Sequence, residues 1–151
     1  MSAENGQDSA FNSNNNESTG NKSNGNENNG RELPAEVAGQ SVWDRAGALQ
    51  RLMNKESILT RVVELFINTS GETLQALQDA LAAQDISSIQ AQAHTLKGVA
   101  GNIGGMQLMA LSGLLEQAAR EQDNSRLQSL SLHLPHCYNM LMESLQENQP
   151  A

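Results

Sequence analysis

Residues 86–105 read ISSIQAQAHTLKGVAGNIGG, and the reading of this stretch decides the fold. Ile86, Ile89, Ala93, Leu96, Ala100 and Ile103 recur at alternating spacings of three and four, which puts them on one face of a helix. Asp85 precedes the run as a candidate N-cap, and Gly104 and Gly105 end it as C-terminal glycines commonly do. Gly98 and Gly101 nevertheless sit inside it, although each costs a helix about 1 kcal/mol relative to alanine. A helical wheel gives a reason. With Leu96 at zero, the apolar face centres near about 30°. Gln90, His94, Lys97, Gly98 and Gly101 share an arc of about 100° that lies off this face. The imidazole therefore has a lysine three residues along and a glycine four residues along as surface neighbours. Small residues beside an exposed imidazole make a docking face, where a large partner can approach the ring.

The flanking segments are also helical. Asp44 is positioned to cap a short helix over DRAGALQRLM. Asn54 is positioned to cap the next, whose apolar residues run from Leu59 through Phe66 to Leu81. Gly71 leaves open whether that stretch is one helix or two. Leu108, Leu111, Leu115 and Ala118 form a further stripe, and Leu127, Leu130, Leu134, Leu141 and Leu145 the last. Pro135 is expected to kink or split that final helix. No segment alternates with the period of a strand. The fold class is all-α, an antiparallel four-helix bundle with a short extra N-terminal helix, over residues 41–148. Residues 1–40 include NSNNNESTGNKSNGNENNG, which has nothing to bury, and read as a disordered polar tail or linker.

Composition narrows the function. The 151 residues carry a net charge of −8, with nine scattered Lys and Arg, which argues against nucleic acid as a partner. The lone cysteine, Cys137, excludes an internal disulfide and suits a reducing cytosol. No apolar run approaches the roughly 18 residues of a membrane span, and MSAENGQDSA lacks the features of a signal peptide. A cytoplasmic, monomeric domain with no direct membrane insertion is expected. HLPHC at 133–137 gives at most three ligands beside a proline, a poor metal site. Ser112 has no visible His and carboxylate partners for hydrolase chemistry.

His94 suits one kind of visitor. Neutral imidazole is a nucleophile near neutral pH, and a lysine one turn away can stabilise the negative charge of an arriving phosphoryl group. The chain has no GxxxxGK loop and no obvious carboxylate cluster for Mg²⁺, so such machinery belongs to the partner.

His94-Thr95-Leu96-Lys97-Gly98, with Gly104 ten residues after the histidine, resembles the signature of histidine-containing phosphotransfer (HPt) domains of bacterial multistep phosphorelays. The similarity runs from about Val42 to Leu145. WDRAGALQRLM resembles the family's leading segment, and LLEQAAR at 114–120 the helix after the signature. The resemblance implies a four-helix bundle whose exposed histidine takes a phosphoryl group from a receiver-domain aspartate and passes it to another receiver. It makes His94 the phosphoacceptor, Lys97 the phosphate-stabilising cation and Gly98 the residue that clears space for the receiver. Gln90 and Gly101 join the docking face. Glu116 matches a polar position near the imidazole, where a glutamate would repel phosphate unless it turns away. The resemblance implies no cofactor of the domain's own and no autokinase activity, with Mg²⁺ in the partner receiver. It further implies an upstream hybrid sensor kinase, in cis or in trans, and the polar tail resembles the linkers that join such modules to kinases. The alternative is a helical adaptor that binds a partner without phosphate chemistry.

Overall fold

The computed structural model describes residues 32–148. Seven helices follow in order: α1 (Ala35–Ala38), α2 (Arg45–Arg51), α3 (Glu56–Ala83), α4 (Ile86–Ile103), α5 (Met106–Arg120), α6 (Asn124–Ser131) and α7 (Leu134–Glu147). There is no strand among the described residues. Helix α4 packs most extensively on α5 and next on α3, and α6 and α7 close the bundle against both α5 and α3. Two-residue links join α3 to α4 and α4 to α5, which forces those neighbours to run antiparallel. The all-α bundle is thus as the periodicity predicts, with α6 and α7 together forming its fourth member.

The apolar stripe of α4 explains its central place. Ile89, Ala93, Leu96, Ala100 and Ile103 are all buried, and they meet Leu108, Leu111 and Leu115 of α5 and Leu59, Val63, Phe66 and Leu77 of α3 in one core. Burying a leucine contributes about 1.5–3 kcal/mol, enough to hold glycine-bearing helices together. Gly71 for this reason does not break α3, which runs unbroken for 28 residues. Beside it, Ser70 Oγ and Tyr138 Oη form a buried 2.8 Å hydrogen bond that ties α3 to α7.

The caps are largely as expected, with one exception. Asp44, Asp85 and Asp123 each accept a hydrogen bond from the backbone N–H three residues on. Asn54 does not cap α3. Lys55 holds the N-cap position without a side-chain bond, while Met53 and Asn54 adopt left-handed backbone conformations that turn the chain out of α2. Asparagine visits that region more readily than most residues, so its presence marks the end of one helix rather than the start of the next. The final helix divides at Leu132–His133, and Pro135 lies in the first turn of α7, where its missing N–H leaves no helical bond unmade.

The folded unit starts earlier than residue 41. It begins at Leu33, and α1 packs on α5 with Val37 wholly buried. The remainder of the expected tail, residues 1–31, lies outside the described residues. After α1, main-chain bonds clasp the chain to the α4–α5 corner. Gln107 N donates to Ser41 O at 3.0 Å and Asp44 N donates to Gly104 O at 2.7 Å. The Trp43 indole donates to Ile103 O at 2.7 Å. Gly104, at φ +86°, makes this corner possible. A Cβ there would collide with the Asp44 carbonyl oxygen. Gly104→Ala is therefore expected to destabilise the domain by more than about 1 kcal/mol in denaturant unfolding.

Candidate functional site

His94 stands midway along α4 with its side chain 69% exposed. Ala91, Thr95, Gly98 and Asn102 are exposed with it along α4, and Gln90 is half-buried at the margin. The helix places the ring in solvent because its own apolar residues occupy the opposite face.

From α5, Glu116 reaches this ring. Its side chain is only 8% exposed, and three donors surround its carboxylate. His94 Nδ1 lies 2.9 Å from Oε2, Lys97 Nζ 2.7 Å from Oε1, and Arg120 Nη2 3.2 Å from Oε2. The Lys97 hydrogen bond is the main cause that holds the Glu116 carboxyl below the usual glutamate range, with burial opposing it and the His94 bond adding to it. An ionised carboxylate only accepts hydrogen bonds. In the neutral imidazole the ring proton therefore sits on Nδ1, which leaves the lone pair on Nε2. Among the described residues no side chain bonds to Nε2.

Glu116 does not turn away from the ring. It turns towards the ring and engages Nδ1, which leaves Nε2 without a side-chain partner among the described residues, and two cations share its charge. Arg120 is the member of this cluster that sequence reasoning missed. Its signal was the i,i+4 spacing from Glu116 on the same helix.

The two helix glycines separate in role. A Cβ on Gly98 would meet nothing within 4 Å, so this position is open to a visitor. A Cβ on Gly101 would come within 2.8 Å of Met109 Sδ. Gly101 is half-buried against α5, and its carbonyl accepts a bond from Arg51 at 3.0 Å. The assignment of Gly101 to the docking face is thus corrected: Met109 of α5 covers it. Gly113 serves the site indirectly, because Lys97 Cδ lies over it, 3.4 Å from where its Cβ would be. Beside the open face, a shallow groove between α3 and α4 is lined by Val62, Leu65, Phe66 and Val99, with Leu65 exposed.

The HLPHC segment does not gather into a site. His133 and Cys137 are buried while His136 is exposed. Burial pushes the Cys137 thiol up to about 11 and, with His136 adding to it, pulls His133 down. Among the described residues no group of three or more His, Cys, Asp or Glu could hold a metal ion.

Glu116 links the site to stability. A carboxyl held below its ordinary value, 4.5, contributes stability that is complete above that value and lost as pH falls through the lower folded value. Acid titration of thermal unfolding should therefore show a smaller loss of melting temperature below pH 4.5 for Glu116→Gln than for the wild type.

The wider comparisons bear on the fold and the family. The chain superposes on the crystal structure of histidine-containing phosphotransfer protein B (HptB) from Pseudomonas aeruginosa PAO1 with a TM-score of 0.64. The match covers 70% of this chain and 92% of that one at 23% identity, a likeness of fold. No curated protein sequence matches the chain. No described helix is long and apolar enough to cross a membrane. The family model described as Hpt domain matches residues 61–147, and with it the chain belongs to the HPt family, whose members work in phosphotransfer within phosphorelays.

Proposed function

We propose that this domain is a phosphorelay intermediate in which His94 Nε2 accepts a phosphoryl group from the phospho-aspartate of one receiver domain and passes it to another. One observation carries the reading: an exposed imidazole whose Nδ1 is engaged by Glu116 while Nε2 remains open. Phosphoryl transfer asks mainly for positioning and charge neutralisation. Here Glu116 fixes the ring and its tautomer, Lys97 supplies the nearby cation, and Gly98 leaves room for the receiver to bring its acyl phosphate to the ring. The receiver's own carboxylates and Mg²⁺ supply the rest, so the domain needs neither ATP nor a cofactor. The face around Gly98 and the groove along Leu65 form the docking surface. An upstream hybrid sensor kinase, joined to this domain or separate from it, is the source of the phosphoryl group.

Incubation with a phosphorylated cognate receiver should label the protein with a phosphate that is acid-labile and alkali-stable. His94→Gln should abolish that label. A receiver that binds the wild type without ever transferring label, and binds His94→Ala equally well, would identify an adaptor instead. Gly98→Phe should leave the melting temperature within a few degrees of wild type, because the position is open, yet lower the transfer rate at least tenfold by obstructing the approach.

A further inference from the structure

The carboxylate against Nδ1 has a consequence for the phosphorylated state. When Nε2 attacks an aspartyl phosphate, an N–P bond forms and the P–O bond to the acyl oxygen breaks, its electron pair leaving with the carboxylate. The ring, which already carries a proton on Nδ1, becomes a cation. Onward transfer reverses these steps: the N–P electron pair returns to Nε2, and the ring departs as neutral imidazole. No proton has to move in either direction. If Nδ1 lost its proton, the departing group would be an imidazolate, a far poorer leaving group, and the phosphoryl group would be trapped.

We propose that Glu116 is the counter-ion of this cationic ring, a positioning residue that holds the Nδ1 proton and so keeps phospho-His94 transferable. The inference rests on His94 being the phosphoacceptor. A neutral amide at the same place could accept the hydrogen bond, but it could not balance the charge. The geometry suits the task. Glu116 is nearly buried and its Oε2 lies 2.9 Å from Nδ1, so a full negative charge is held in direct hydrogen-bond contact with the ring proton. The charged groups bonded into the cluster are Lys97 from α4 and Glu116 and Arg120 from α5. Among the described residues, no charged side chain of α3 bonds to any of them. In the phosphorylated state Lys97, 39% exposed and bound to Oε1, exchanges that bond for the phosphoryl oxygens. Arg120 is bound to the same Oε2 that faces the ring. Arg120 also competes with the ring for that charge, so the two cations should affect the phosphorylated ring in a predictable sense.

The test loads the full chain with potassium phosphoramidate, which phosphorylates histidine without a receiver. Nitrogen and phosphorus NMR then identify the modified ring nitrogen and follow the Nδ1 proton, while loss of phosphate is measured from acid to alkaline pH. The wild type should carry phosphorus on Nε2. In Glu116→Gln the midpoint of the pH profile for phosphoryl loss should move down by about one unit or more, with helicity unchanged. Arg120→Gln, at an exposed position, should move it in the opposite direction, which a merely loosened site would not do. Coincident profiles for wild type and Glu116→Gln, or phosphorus on Nδ1, would overturn the counter-ion role while leaving His94 as the acceptor. A wild type that takes no label at His94 would overturn both.

Discussion

Everything in this domain depends on α4 having two unlike faces. One is closed by α3 and α5 across Ile89, Ala93, Leu96, Ala100 and Ile103; the other is left bare around His94 and Gly98. Because the core is close-packed, the helix cannot rotate to hide the histidine without exposing leucine and isoleucine. The imidazole is thus displayed by the same burial that stabilises the fold. Exposure here is enforced by packing.

The carboxylate of Glu116 is the complementary feature. A nearly buried charge is costly unless it is paired and hydrogen-bonded, and here three donors from two helices meet it. Two of those donors come from α4, so the cluster also fixes the register of α4 against α5. Orientation of the ring and neutralisation of the acid are thus one arrangement.

Much of this was legible from periodicity. The apolar spacing in α4 located the core, and the angular positions of His94 and Gly98 foretold their exposure. A helical wheel, however, shows only the direction in which a residue points, not what a neighbouring helix places there. Gly101 therefore looked like open surface, though Met109 of α5 fills the space beside it. The ionic partners of Glu116 were hidden for the same reason: two of them become neighbours only once α4 and α5 are in register. Helix α1 escaped detection because four residues with a single buried valine carry no period. Asn54 misled because one residue type serves both helix starts and left-handed turns.

The family match covers residues 61–147 and leaves out α1 and α2, yet both belong to the folded unit. Several of the bonds that fasten this leading segment run between peptide groups, from Asp44 to Gly104 and from Gln107 to Ser41. Every amino acid carries a carbonyl, and all but proline an amide hydrogen. An attachment made from such groups tolerates substitution of most side chains around it. This edge of the domain can therefore drift in spelling over evolutionary time while remaining just as firmly tethered.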